Sequence, residues 1–313
     1  MGEAIISRRT GSSRLFLSNT LIKVNKISSI NGTYATSDDD FLYIGGGNLT
    51  KIRKIRKSDM SLVAESALDY KVGAICADVD YIYIGERDAP GPYRVVKLNK
   101  SNLSVVSVSG TFNYDILSID VDSSYVYIGM SNSVDYGRKV FKINKSTLST
   151  VATSEIFKGG ITNLISKDNY LYIIDGNDSS IIKRLKKSNL AVDILSNDGG
   201  DVYGIYTMCI DENFVFVSKT SKRILKFKLS DLSFVNTSSV ASSYAHSLVT
   251  DEKNIYAWYS DKKMVLRFDK ISMEKNGQSE IIEESAASLS TGKQRLYTIG
   301  NDVCEIATKI FYK

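Results

Sequence analysis

The pentapeptide YIYIG at residues 81–85 returns as FLYIG at 41–45, YVYIG at 125–129 and YLYII at 170–174. Looser copies follow: FVFVS around Phe216, NIYAW around Tyr256 and RLYTI around Tyr297. The seven central aromatics, Tyr43, Tyr83, Tyr127, Tyr172, Phe216, Tyr256 and Tyr297, stand 40 to 45 residues apart. A period of that size means one supersecondary unit copied along the chain. It overrides the two domains that a length of 313 residues would suggest.

The unit can be read on both sides of the aromatic. Before it comes a short run of small residues ending in acid: GAICADVD (73–80), ILSIDVD (116–122), NLISKD (163–168), TMCIDE (207–212) and SLVTDE (247–252). After it comes VVKLNKSNLSVV (95–106), VFKINKSTLSTV (140–151), IIKRLKKSNLAV (181–192) or ILKFKLSDLSFV (224–235), with weaker copies at 51–62 and 265–276. These are strand, polar turn and strand, the pattern of a hairpin. Each unit is therefore four short strands, and no helical period competes. Nineteen tyrosines and only two prolines agree with pleated strands. Four-stranded units at this period are the blades of a β-propeller.

The expected fold class is all-β: a seven-bladed β-propeller of four-stranded blades over residues 14–313, with an arm at 1–13. After Tyr297 only EIATKIFYK (305–313) remains, enough for a third strand. The segment LFLSNTLIKVNKISS (15–29) is expected to complete the last blade, so that amino- and carboxy-terminal strands close the ring and remove its exposed edges.

The V-x-K-h-x-K-S-x-L hairpins, where h is apolar, resemble those of the broad group of seven-bladed propellers with WD40, YncE-like and PQQ-like repeats. They look most like the YncE-like and surface-layer propellers. The Trp-Asp pair of WD40 repeats is missing, Trp258 being the one tryptophan, and so is the PQQ-type tryptophan pattern. The resemblance implies the fold and carries no activity with it.

Chemistry-bearing residues are sparse. The acidic turns (Asp38-Asp39-Asp40, Asp78 with Asp80, Asp120 with Asp122, Asp211-Glu212, Asp251-Glu252) come one per blade, without the convergent loop that Ca²⁺ requires. They read as turn residues bonding their own backbone. Lys54, Lys97, Lys142, Lys183 and Lys226, with Arg267 in register, read as stems lying on blade faces with ammoniums in water. A net charge of +5, spread in this way, demands no nucleic-acid partner. His246, the single histidine, has no paired nucleophile or second ligand, and reads as structural. Cys76, Cys209 and Cys304 read as small core residues. No catalytic residue, metal site or cofactor is expected, and the protein is expected not to be an enzyme. No apolar run is long enough for a membrane helix.

One end of the ring is more suggestive. An aromatic precedes most inner strands: Tyr70, Tyr114, Phe157, Tyr203 and Tyr244. The same end carries the irregular loops GERDAPGPYR (85–94) and GMSNSVDYGRK (129–139). The periodic aromatics are either blade packing repeated by duplication or a binding rim. Insertions confined to one face of a repeat protein mark the binding face. The rim is expected to hold Tyr93, Arg94, Tyr114, Tyr136, Arg138 and Tyr203, a composition that suits a glycan or a protein loop.

The start, MGEAIISRRTGSS, fits no blade and shows no secretion signal. It resembles the opening of tail and virion proteins of phages of Gram-positive hosts. The resemblance implies an arm, Ala4, Ile5, Ile6, Arg8 and Arg9, docking to other virion or tail proteins, in many copies per particle. The protein would be made in the host cytoplasm and displayed on the virion tail. The other reading of the arm is a disordered end. Two alternative functions stand beside this one: a propeller enzyme acting on a small metabolite or sugar in the axial channel, and an intracellular scaffold.

Overall fold

The computed structural model describes residues 15–46, 49–88, 93–131, 138–176, 182–196, 204–241, 243–282, 286–292, 295–300 and 302–312. Among them are 28 strands and no helix. Residues 34–67, 71–108, 116–153, 161–195 and 205–237 form five separate four-stranded sheets, blades 1 to 5. Within each, chain order is spatial order and neighbours run antiparallel. The inner strands touch in a closed circuit, blade 1 to 2 and onward to 7, then back to 1.

Blades 6 and 7 share one eight-stranded sheet. Blade 6 spans residues 247–279. Blade 7 takes Ala286–Gly292, Arg295–Gly300 and Val303–Tyr312 from the carboxy end, and Leu15–Ile27 from the amino end as its outer strand. Leu15–Ile27 runs antiparallel to Val303–Tyr312, from Leu15 opposite Tyr312 to Ile27 opposite Val303. It also pairs in parallel with the outer strand of blade 6, Thr20 opposite Gln278 and Leu21 opposite Ser279. The two chain ends thus close the ring as expected, and one strand joins two blades.

The repeated pentapeptide is the second strand of each blade. Tyr43, Tyr83, Tyr127, Tyr172, Phe216 and Tyr297 are at most 2% exposed. Their neighbours alternate to the opposite face and are buried there as well, because each blade is covered on both sides by another. One core cluster joins Ala74, Cys76 and Tyr83 of blade 2 to Ile116, Val126 and Ile128 of blade 3. The glycine of YIYIG belongs to this packing. A Cβ on Gly85 would stand 2.3 Å from Ile116 Cγ2 of the next blade.

The K-S-x-L hairpins end on a left-handed residue: Leu103, Leu148, Leu190 and Leu232, with Met60 and Met273, have φ between 54° and 61°. Such a conformation costs a non-glycine residue about 1 kcal/mol or more. All six side chains are at most 4% exposed, and burial of that kind returns roughly 1.5–3 kcal/mol each. Cys76, Cys209 and Cys304 are buried within the core, as expected.

Candidate functional site

A ring of blades offers a partner two ends, and these two are built differently. The end with the acidic turns is locked by a repeated lattice. Asp78 Oδ1 accepts the backbone N–H groups of Asp80 (2.9 Å) and Tyr81 (2.7 Å). Its Oδ2 accepts the Tyr83 hydroxyl at 3.1 Å. Lys145 of the next blade reaches back to the same oxygen at 2.7 Å. The pattern recurs at Asp38 with Tyr43 and Lys100, and at Asp122 with Tyr127 and Lys187. At Asp211 Lys270 is present, but Phe216 has no hydroxyl to give. Burial pushes these four carboxyls up. Hydrogen bonds from lysine, backbone and, in three of them, phenol outweigh it and hold them below the usual carboxylate range.

The third-strand lysines add a second layer, and here the expectation of ammoniums in water is corrected. Lys54, Lys97, Lys142 and Lys226 are buried, and each donates to a backbone carbonyl of the following blade: Lys100, Lys145, Lys187 and Lys270, at 2.7 to 3.2 Å. Each ammonium also lies 3.9 to 4.0 Å over an aromatic ring of its own blade: Phe41, Tyr81, Tyr125 and Phe214. Lys183 is one residue out of this register. Arg184 faces Tyr172 instead, donates to Leu229 O at 3.2 Å and stacks 4.2 Å over Tyr170. Lys183 turns to the other face and pairs with buried Asp175 at 2.8 Å. The repeated cations of this end are thus engaged inside the ring, which removes the reason to read them as a polyanion site.

The opposite end carries the loops, and the structure brings Tyr93, Arg94, Tyr114 and Arg138 to it. Tyr93 exchanges both backbone hydrogen bonds with Phe112, at 2.9 and 2.7 Å. Arg94 meets Glu86 at 3.0 Å and Asp69 at 2.9 Å, and lies 5.2 Å over the Tyr70 ring. Glu86 is buried, so Arg94 supplies its countercharge. Tyr114 is half-buried against the core of blades 2 and 3, and with Phe112, Met130 and Phe141 lines a cleft of about 320 Å³. Arg138 is half-buried, and its Nε is buried with no hydrogen-bond partner. Tyr136 and Tyr203 lie outside the described residues, as do Ala4, Ile5, Ile6, Arg8 and Arg9. Of the periodic aromatics, Phe157 is a packing residue, 5% exposed, whereas Tyr70, Tyr114 and Tyr244 keep part of their surface in water.

Sequence reasoning missed Tyr206 here. It is 41% exposed. Its ring centroid lies 4.7 Å from Tyr244 and 4.9 Å from His246, which are themselves 4.9 Å apart. Tyr206 occupies a one-residue bulge in the inner strand of blade 5: Ile205 pairs with Lys219, and Thr207 already with Ser218. The same slip recurs at Gly73, Leu117 and Thr162 in blades 2 to 4. Aligning the inner strands on the marker aromatics would have exposed this column and its one tyrosine. Burial lowers the His246 pKa against the opposing charge of Asp261, so the imidazole is neutral at pH 7.

No family model matches the sequence, and no curated protein does. Solved structures do match. The WD40 β-propeller domain of Doa1 superposes with a TM-score of 0.74 at 10% identity, over 92% of this chain and 97% of that one. The chain is a seven-bladed β-propeller. The computationally designed Ika8 protein gives 0.70 at 8% identity, over 92% of this propeller and 99% of its own chain. At such identities the likeness is one of fold alone. The propeller shares the bladed architecture of that domain, although its own sequence has no Trp-Asp pair.

Proposed function

We propose that the propeller is a non-enzymatic binding component of a phage tail or related particle, whose loop end meets a host-surface glycan or protein. The observation that carries the reading is the inequality of the two ends. The turn end repeats one lattice in blades 1 to 3 and, without the phenol, in blade 5, and it engages Asp38, Asp78, Asp122 and Asp211 with lysines of the following blades. The loop end varies between blades and leaves aromatic surface in water. A partner that reads one orientation of a quasi-symmetric ring needs the variable end. The particle setting rests on the resemblance of MGEAIISRRTGSS, and the propeller supplies no argument for or against it.

The reading is tested by blocking each end. Asn113 at the loop end and Asn102 at the turn end are both exposed, and the native cysteines are buried. Asn113→Cys and Asn102→Cys, each conjugated to polyethylene glycol, are compared for adsorption of labelled protein to Gram-positive cells. Conjugation at 113 is expected to abolish adsorption and conjugation at 102 to spare it; the reverse pattern overturns the reading. For the particle setting, deletion of residues 1–12 is expected to abolish incorporation while the ring stays folded.

A further inference from the structure

We propose that Tyr206, Tyr244 and His246 form a stacking platform for the apolar face of a carbohydrate ring, at the loop end beside the axial opening. The inference rests on the loop-end reading above and gives it a ligand class and a place.

Three observations carry it. First, the fold does not need an aromatic at this position. The equivalent bulges hold Gly73, Leu117 and Thr162, and the blades around them pack. The tyrosine of blade 5 is nevertheless left 41% exposed, whereas the buried markers Tyr83 and Phe216 have no exposure at all. Secondly, the three rings support one another. Tyr206 comes from the inner strand of blade 5, Tyr244 and His246 from the connection entering blade 6, and their mutual contacts fix their orientation before any ligand arrives. His246 is anchored further by its backbone N–H, which donates to Trp258 O at 2.9 Å. A pre-ordered aromatic surface binds at a low entropic cost.

Thirdly, the chemistry of the surface selects among ligands. The imidazole is held neutral, so the platform presents three uncharged π systems with hydroxyl groups at the tips of two. Centroids under 5 Å apart mean that the rings lean on one another and leave no box between them. A cation would be enclosed on one side only. A pyranose has what this surface lacks: a flat patch of polarised C–H groups to lie on the rings, and hydroxyls around its edge for the tyrosine oxygens.

The test uses the full chain on an array of immobilised neutral and amino-sugar oligosaccharides, with Tyr206→Ala, Tyr206→Phe and Tyr206→Trp beside wild type. Tyr206→Ala is expected to weaken saccharide binding by about tenfold or more, since stacking is lost. Phe and Trp, which keep a ring face, are expected to stay within about threefold of wild type. All four proteins are expected to melt together. Saccharide binding by Tyr206→Ala equal to wild type overturns the platform; so does an equal loss in Tyr206→Phe, which would assign binding to the hydroxyl. A wild-type chain that binds no saccharide overturns it too. If Tyr206→Ala adsorbs to cells normally while conjugation at residue 113 still blocks adsorption, the platform fails and the loop-end reading survives. If neither change matters, the loop-end reading itself has failed.

Discussion

Lys145 of blade 3 holds Asp78 of blade 2 across the gap between two sheets, Nζ to Oδ2 at 2.7 Å, while donating to the Asp122 carbonyl of its own blade at 3.3 Å. Among the described residues no backbone hydrogen bond joins those sheets, so side chains of this kind and the packing between the faces hold successive blades in register.

Removing the ammonium leaves the Asp78 carboxylate with its backbone donors and a phenol, but without its ion-paired partner. The pair is partly shielded, at 21% and 12% side-chain exposure. Lys145→Met is therefore expected to cost about 2 kcal/mol, between the values for exposed and fully buried pairs. Urea denaturation checks it. Asp78→Asn in the same chain should recover part of the loss, giving a coupling term in a double-mutant cycle. A cost of only a few tenths of a kcal/mol would mean that packing alone sets the register.

Asp120 has the opposite electrostatics. Burial pushes its carboxyl up to about 6, against hydrogen bonds from Ser166 N (2.7 Å) and Val121 N (2.9 Å). Unfolded, it would titrate near 3.9. Between those values the folded state binds more protons, so stability falls as pH rises from about 4 to about 6, by roughly 3 kcal/mol at most from this group. The lattice carboxyls Asp38, Asp78, Asp122 and Asp211 are depressed, so their contribution is present above the unfolded carboxylate pKa and is lost as pH falls below it. His246, with its lowered pKa, also favours the unfolded state as pH falls through about 6.5. The difference between wild type and Asp120→Asn isolates the first effect. Its size should change between pH 4 and 6 and stay constant from 6.5 to 8. A flat difference throughout would place the Asp120 pKa at its ordinary value.

Nature has already made one variant of the marker. Phe216 fills in blade 5 the space that tyrosine fills elsewhere, with Asp211 still in place to accept a hydroxyl. Tyr83→Phe should accordingly keep its packing and lose one hydrogen bond, for about 1 kcal/mol. Phe216→Tyr should be neutral or stabilising by a similar amount. Tyr83→Ala should cost roughly 3–5 kcal/mol through the cavity left behind. Melting curves of the three variants test the order. A destabilising Phe216→Tyr would show that blade 5 has no room for the oxygen.

These cases show which parts of the molecule the amino-acid sequence makes legible. The period and the four strands per blade could be read because alternation and turn chemistry are local. What the cations do could not, because it depends on pairing across strands. IIKRLKKS offers Lys183 and Arg184 side by side, and only the register against Tyr172 decides that Arg184 reaches the next blade. Tyr206 escaped for a similar reason. A one-residue bulge inverts the faces of a strand and leaves no mark in the alternation. Of the expected rim, Tyr93, Arg94, Tyr114 and Arg138 fall at the expected end because chain order alone fixes which connections share an end. Arg94 is engaged by Glu86 and Asp69, a pairing that spans separate segments of blade 2 and the connection before it.

A further repeated feature went unread because its partners lie 14 residues apart. Ser109 at the end of an outer strand accepts Val95 N at 2.9 Å and donates to Gly110 O at 2.7 Å. Ser154, Ser196, Ser238 and Ser279 likewise accept the N–H groups of Val140, Ile182, Ile224 and Val265, at 2.8 to 3.0 Å. Ser109→Ala would leave a buried N–H without a partner, at an expected cost of about 1–3 kcal/mol in urea denaturation. A cost near zero would mean that water reaches Val95 N.

The strand that joins the chain ends makes the sharpest prediction. Leu15–Ile27 supplies the outer strand of blade 7 and an edge partner for blade 6, and Leu21 is buried in the core of the two. Deleting residues 1–27 removes all the strand pairing that ties the amino end to the carboxy end, leaving the backbone bond from Gly32 N–H to Gly300 O at 2.7 Å. It exposes Val303–Tyr312 as a free edge of ten residues, the kind of edge on which chains aggregate. Deleting residues 1–13 removes none of that pairing. The shorter deletion should therefore melt with the full chain, cooperatively and as a soluble species. The longer one should melt many degrees lower, or be recovered as aggregate. A synthetic peptide of residues 14–29, added during refolding of the longer deletion, should restore part of the lost stability in proportion to its concentration. Equal melting of the two deletions would mean that the inner strands close the ring without the seam, and that the pairing of the chain ends contributes nothing to it.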